Sequence, residues 1–142
     1  MNGSKILIIG QAPAAKTQNI PYDTTLLYQI LSWVDISKEE AQTMFEFEAM
    51  TDVFPGKGKN GHKAPAASEM FRYYQAVLKD KMAINKKIVV LGNVAHIALI
   101  RFNAITPQNE FIFLLHPSRR NYKKIMDSKE SITRDLYDFI KK

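Results

Sequence analysis

The stretch of sequence that decides the fold is residues 6–14, ILIIGQAPA, in which four apolar side chains lead directly into a glycine. A second stretch of the same kind, FIFLLHPS, occupies residues 111–118. Each apolar run predicts a buried strand, and each is followed by a short loop of special composition. In an open parallel sheet, ligands bind at the carboxyl ends of the strands. We therefore expect the two loops to form two walls of one cleft.

The rest of the chain alternates apolar runs with amphipathic segments, which is typical of an α/β domain. The predicted strands are residues 5–9, 47–53, 87–91 and 111–115. Right-handed crossovers place the intervening helices on both faces of the sheet. The predicted fold is α/β, a three-layer helix–sheet–helix sandwich with a mainly parallel sheet of about four strands. We expect residues 1–142 to form one domain.

Helices are predicted where apolar side chains recur at helical spacing. They cover residues 24–34, residues 38–44 with Ser37 and Glu40 as a capping box, a long segment capped by Ser68, a segment after Gly92-Asn93, and the C-terminal segment. The long helix is expected to bury Met70, Phe71, Tyr74, Val77 and Leu78. The helical stripes predict core packing and imply no cofactor.

Composition excludes several classes of protein. At 46% hydrophobic residues the chain is ordinary for a folded domain, and it has no apolar stretch of membrane-spanning length and no signal pattern. A cytoplasmic protein without membrane association is the expectation. The sequence contains no cysteine, which excludes disulfides, thiolate metal sites and cysteine-held iron–sulfur clusters.

The formal charge of +6 is grouped in two places. One group surrounds a glycine-rich stretch and the other follows His116; they are Lys57, Lys59 and Lys63, and Arg119, Arg120, Lys123 and Lys124. Such grouping favours a polyanionic partner, because each neutralised phosphate releases counterions. The alternative is a solvated basic surface. Both groups fall in predicted loops after strands, so nucleic acid is the leading candidate partner.

Together, these segments resemble the uracil-DNA glycosylase superfamily. Residues 10–14, GQAPA, are similar to its first motif, and His116-Pro117-Ser118 to its second. Pro21-Tyr22, residues 51–55 and residues 88–92 are similar to segments between these motifs. The loop pattern is closest to the iron–sulfur branches, although this chain lacks the cysteines. The resemblance implies base excision from DNA by base flipping, with no metal or cofactor expected here.

The resemblance also implies which residues contact the flipped base. Tyr22 is expected to stack on the base, with the alternative that it packs beneath its loop. Ala12, Pro13 and Asp52 complete the implied base-binding set. His116 is expected to stabilise the anionic leaving base through an imidazole N–H, and its alternative is a structural histidine at a strand end.

Three positions depart from the family pattern. Asp52 stands where many relatives have asparagine, and an ionised carboxylate can only accept hydrogen bonds. Either Asp52 is protonated, or the pocket prefers a base with an exocyclic amine, or the residue does not read bases. Gln11 and Ala12 stand where relatives carry the water-activating acid. Gln11 can orient a water molecule but cannot take its proton, and Asp23 and Asp52 are candidate substitutes.

The implied contacts with the DNA backbone come from both basic groups. The residues are Lys57, Lys59, His62, Lys63, Ser118, Arg119, Arg120 and Asn121. The glycine-rich stretch is not a P-loop, because it lacks the Gly-Lys-Ser/Thr ending. Arg119 or Arg120 stands where relatives often carry an apolar wedge. We expect a monomer that binds single-stranded or damaged DNA.

Three functions remain open at this point. The first is a DNA glycosylase that acts on a deaminated base, with His116, Gln11 and Asp23 as the catalytic set. The second is a non-catalytic nucleic-acid-binding module that has lost the water-activating acid. The third is an unrelated flavodoxin-like domain that binds a phosphorylated ligand.

Overall fold

The structure is a computed structural model that describes residues 5–11, 25–52, 57–58, 61–62 and 64–141. Within these ranges the elements follow one another in chain order. They are β1 (Ile6–Gly10), α1 (Thr25–Ser32), α2 (Lys38–Met44), β2 (Phe45–Ala49), β3 (Lys57–Gly58), β4 (Gly61–His62), α3 (Ala67–Tyr73), a π-helical segment (Tyr74–Leu78), α4 (Lys79–Ile84), β5 (Lys87–Leu91), α5 (Asn93–Arg101), β6 (Glu110–Leu114), a 3₁₀ turn (Arg119–Asn121), α6 (Tyr122–Asp127) and α7 (Lys129–Lys141).

Four of the strands form one sheet in the order β2-β1-β5-β6, and every neighbouring pair in it is parallel. This confirms the predicted α/β fold with its four-stranded parallel sheet. Because all four strands run the same way, their carboxyl ends lie along one edge. We call this edge, where β1, β2, β5 and β6 end, the carboxyl edge.

The sheet is buried on both faces, which explains why its central strands read as continuous apolar runs. Leu7, Ile9 and Val90 pack in the core layer that includes residues of α3, α4 and α5. Ile8 and Val89 point the other way, into the layer built with α1, α2, α6 and α7. The three-layer arrangement predicted from the sequence is therefore present.

The second strand is Phe45–Ala49, two residues earlier than predicted at its start and four at its end. Its sequence, FEFEA, alternates with a period of two, so the glutamates share one face of an edge strand. Lys81 in α4 forms ion pairs with both Glu46 and Glu48. The prediction failed because it followed apolar side chains, whereas this strand directs two charges at Lys81, which lies 33 residues after Glu48 and 35 residues after Glu46.

The long helix differs from its prediction in two respects. Its first residue is Ala67 after the N-cap Ala66, so Ser68 lies inside the helix and does not cap it. The predicted buried face is wrong for Phe71, which is 40% exposed, whereas Tyr73 is buried. The π-helical segment widens one turn, so that Leu78 lies five residues after Tyr73 and still faces the core.

Other local predictions are confirmed or corrected by the structure. Ser37 and Glu40 form the predicted capping box of α2. The glycine-rich stretch contains two short antiparallel strands, β3 and β4, where an open loop was expected. Lys123 and Lys124 belong to α6, not to a loop. No helix within the ranges that the structure describes is long and apolar enough to cross a bilayer.

Candidate functional site at the carboxyl edge

The structure brings three of the predicted site residues to the carboxyl edge. Gln11 directly follows β1, Asp52 lies three residues after the end of β2, and His116 lies two residues after the end of β6. Asp52 was expected inside the second strand, and the earlier end of β2 places it in the following segment instead. The predicted residues Ala12, Pro13, Tyr22, Asp23, Lys59 and Lys63 lie outside the described residues.

Asp52 and His116 belong to opposite ends of this edge, because β2 and β6 are the outer strands. Three inter-strand spacings, about 14 Å, separate strands in these positions. The two central strands end in residues without side chains: Gly10 is the last residue of β1, and Gly92 directly follows β5. Neither of these two strand ends therefore places a Cβ atom between the outer strands.

Backbone hydrogen bonds fix where these segments leave the sheet. The Met50 N–H donates to the carbonyl oxygens of Gly10 and Gln11, at 2.9 Å and 3.2 Å. On the other side of the sheet, the Gly92 N–H donates to the Leu114 carbonyl at 2.8 Å. Each outer strand is therefore tied to a central strand at the point where the candidate site begins.

His116 is held in a largely buried position. Burial lowers the pKa of its imidazole from the usual value of 6.5, so the neutral ring is favoured at neutral pH. Pro117, the next residue, is buried. The Asn121 side-chain amide donates to the His116 carbonyl at 2.9 Å and holds the backbone of this segment from the 3₁₀ turn. A neutral imidazole retains one N–H that can donate to a ligand oxygen.

Gly92 shapes the surroundings of His116 in a way that the sequence did not predict. Its φ of 87° and ψ of 162° lie in a region that almost only glycine adopts. A Cβ atom placed on Gly92 would lie 3.0 Å from the Cβ atom of His116. The close approach of the β5 end to His116 therefore requires glycine. The only sequence signal for it was a glycine directly after a strand.

Asp52 takes part in a network with α3 that the sequence did not reveal. Its Oδ1 accepts from Nη2 of Arg72 at 3.1 Å, and the side chains of Asp52 and Arg72 are 63% and 53% exposed. Arg72 also donates to both carboxylate oxygens of Glu69, at 3.0 Å and 2.6 Å. The buried Thr51 donates its hydroxyl to Glu69 at 2.6 Å. An arginine thus lies beside the carboxylate that was predicted to read the base.

The predicted contacts with the DNA backbone are only partly described. Lys57 pairs with His62 across the β3–β4 ladder, and Arg119 lies in the 3₁₀ turn; for these three residues the structure describes the backbone. Ser118 is partly buried, and its carbonyl accepts from the Asn121 N–H at 3.1 Å. Arg120 is exposed. The second basic group therefore begins within five residues of His116, on the 3₁₀ turn and the start of α6.

The chain offers no ligand set for the cluster of the iron–sulfur branches, because it contains no cysteine. Across the parts of the chain that the structure describes, there is also no group of three or more His, Asp or Glu side chains that could hold a metal ion. A surface depression on α7, lined by Lys129, Glu130, Thr133, Arg134, Tyr137 and Asp138, includes none of the predicted site residues. His96 stacks on Phe113 with ring centroids 3.9 Å apart, as a packing histidine would.

Comparison with known proteins identifies the family. The family model described as Uracil DNA glycosylase superfamily matches residues 1–139. The match spans nearly the whole chain, and it excludes the unrelated flavodoxin-like domain considered above. No curated protein matches the chain.

Proposed function

Because this chain belongs to the uracil-DNA glycosylase superfamily, we propose that it hydrolyses the N-glycosidic bond of a deaminated base, such as uracil, in DNA. The observation that carries the proposal is the position of His116. It lies at the carboxyl end of β6, in the segment similar to the second family motif, and its burial favours the neutral ring.

In this reaction the bond between the sugar C1′ and the base nitrogen breaks, and the base leaves with the electron pair. The imidazole N–H of His116 donates a hydrogen bond to a base carbonyl oxygen, on which negative charge develops. A preorganised donor of this kind is typically worth about 10²–10³-fold in rate. Water then adds its oxygen to C1′ and releases a proton. Gln11 orients this water, and Asp23 receives the proton.

The flipped base is bound between the outer strands. Tyr22 stacks on the ring, Ala12 and Pro13 line the pocket, and Asp52 reads the base edge. Stacking on an aromatic side chain contributes about 1–3 kcal/mol per base. The backbone of single-stranded or damaged DNA runs between the two basic groups, which are Lys57, Lys59, His62 and Lys63 on one side and Ser118, Arg119, Arg120 and Asn121 on the other.

An assay that detects base excision as strand breaks in oligonucleotides tests the proposal. Labelled oligonucleotides with one uracil, hypoxanthine or xanthine, single- and double-stranded, are incubated with the protein and then treated with alkali. We expect strand breaks at the modified position that disappear in His116→Ala. The matched control is His96→Ala, which removes a histidine that packs on Phe113 outside the proposed site. Equal loss in both variants would contradict the role of His116.

A second variant tests the place assigned to Gln11. Gln11→Glu introduces a carboxylate directly after β1, at a position where an iron–sulfur branch carries its acid. General-base help is typically worth about 10²–10⁴-fold, so the variant should cleave faster than the wild-type protein. A cleavage rate that stays the same or falls would show that Gln11 is not placed at the attacking water.

One observation favours a second function, a non-catalytic module that binds nucleic acid. Gln11 and Ala12 both lack the acid group that activates water in relatives. Retained, salt-dependent binding of oligonucleotides with no cleavage of any base would support this module. In that case the affinity should fall steeply with salt, since each phosphate contact releases counterions.

A further inference from the structure

The Asp52–Arg72 pair presents a pattern of hydrogen-bonding groups that neither residue has alone. Asp52 uses Oδ1 to accept from Arg72, which leaves Oδ2 as an acceptor. Arg72 uses its Nε and Nη2 groups on Glu69 and Asp52. A guanidinium has five N–H groups, so within the described part of the chain the two on Nη1 remain for a ligand. Both side chains are more than half exposed and accessible to a base.

An asparagine amide at this position would offer one acceptor oxygen and one donor nitrogen side by side. A carboxylate alone offers only acceptors and repels a keto oxygen. The ion pair restores the missing donor, because the guanidinium lies 3.1 Å from Oδ1. Its acceptor suits a ring N–H, and its donor suits the adjacent keto oxygen.

We propose that Asp52 and Arg72 read the base together, with Arg72 as the specificity-determining donor for a keto oxygen beside a ring N–H. This inference rests on the proposed function and deepens it. The substrate class it assigns is keto bases, such as uracil and hypoxanthine, in preference to amino bases such as cytosine. It differs from the three alternatives given for Asp52, because here the donor for the keto oxygen comes from Arg72 and not from the carboxyl group.

The guanidinium group of Arg72 is held in place by a chain of hydrogen bonds that ends at a buried residue. Glu69 binds it through both carboxylate oxygens and is itself bound by the hydroxyl of Thr51, whose side chain is buried. Hydrogen bonds from Arg72 and Thr51 lower the pKa of Glu69 to about 2, so this carboxylate stays charged throughout the neutral range. An ordinary exposed ion pair contributes little to stability and needs no such anchor. The anchoring is expected if the orientation of Arg72 matters for a ligand.

Three variants separate base reading from a structural role. Arg72→Met removes the donor, Asp52→Asn supplies an amide, and the double variant combines the amide with the loss of the arginine. Arg134→Met is the matched control, because Arg134 is also an exposed arginine beside a carboxylate, Asp135 at 3.5 Å. The readouts are uracil excision and the affinity for single-stranded oligonucleotides that carry one uracil or one cytosine, measured by fluorescence anisotropy.

We expect Arg72→Met to lose preference for uracil by about 5- to 150-fold, the range for one bidentate base contact. The double variant should recover most of this preference, because the asparagine amide supplies both groups. Arg134→Met should keep it. Unchanged preference in Arg72→Met would overturn the inference. Loss that the double variant does not repair would also overturn it, since Arg72 would then act only by holding the segment.

The affinity measurement separates this inference from the proposed function. If the wild-type protein prefers uracil but cleaves nothing, the pair still reads the base and only the catalytic proposal fails. If the wild-type protein cleaves uracil and Arg72→Met does so equally well, only this inference fails. If the wild-type protein shows neither cleavage nor base preference, both fail.

Discussion

Replacement of Gly92 by alanine is the most direct test of how the site is built. Gly92 combines two constraints: a backbone conformation with φ of 87°, and a position at which a Cβ atom would lie only 3.0 Å from the Cβ atom of His116. Alanine would strain its own backbone and would also crowd the histidine. The adjoining residues give little freedom, because the Gly92 N–H is bonded to Leu114 and Pro117 is buried.

The expected cost follows from these two constraints. A residue other than glycine in this region of φ and ψ costs about 1–3 kcal/mol. A Cβ–Cβ separation of 3.0 Å adds to this cost, since His116 must give by a few tenths of an ångström to relieve the contact. We expect a total loss of about 2–3 kcal/mol in the free energy of unfolding. For a domain of this size, this corresponds to a fall in Tm of about 5–10 °C.

Thermal and urea unfolding followed by circular dichroism measure this loss. Asn93→Ala is the control, since Asn93 is exposed in the first turn of α5, and a surface substitution changes stability by less than about 0.5 kcal/mol. The histidine signals in an NMR spectrum of Gly92→Ala should show a displaced His116, and base excision by the folded fraction should fall. A Gly92→Ala variant within about 0.5 kcal/mol of the wild-type protein would refute the reasoning.

Three further perturbations have expected outcomes that unfolding measurements check. Ser37→Ala should cost about 1 kcal/mol by removing the capping box of α2, whereas Ser131→Ala, with one 3.3 Å bond to a backbone carbonyl, should cost less. Tyr73→Phe should cost about 1.5–3 kcal/mol, because the tyrosine hydroxyl donates at 2.7 Å to Glu48, whose side chain is only 13% exposed; no loss would contradict this bond. For His116 the folded pKa is lower than the unfolded value of 6.5, so its contribution to stability is present above that value and is lost as the pH falls through the lowered pKa. Between about pH 7.5 and about pH 5.5 the wild-type protein should therefore lose more stability than His116→Gln, and equal losses would show that the ring is not buried.

The sequence predicted the central part of the fold well, for a physical reason. Strands β1 and β5 are buried on both faces, so their apolar runs carry the signal without ambiguity. The predicted bounds of the outer strand β2 were wrong because one face of this strand is charged. Lys81, which forms ion pairs with Glu46 and Glu48, belongs to a helix that is distant in the sequence. The residues around the two glutamates therefore give no indication of this contact.

For the candidate site, the sequence predicted the placement of three residues. His116, Gln11 and Asp52 follow strands, and parallel strands bring their carboxyl ends to one edge. Gly92 and Arg72 act through contacts with residues 24 and 20 positions away in the chain, so only the folded structure reveals them. Ser68 shows the opposite limit: its residue type favours a helix N-cap, but the preceding Ala66 takes that place.

The π-helical segment joins α3 and α4 into one continuous helix that contacts two different parts of the molecule. Its wider turn accommodates one residue more than a regular helix would, which rotates everything beyond it by about 100°. Before the π-helical segment, Glu69 and Arg72 lie toward the segment after β2. After it, Lys81 lies toward the glutamates of β2 itself. Deletion of a single residue from Tyr74–Leu78 would therefore uncouple these two halves, and either the ion pair of Arg72 with Asp52 or the ion pairs of Lys81 with Glu46 and Glu48 would be lost.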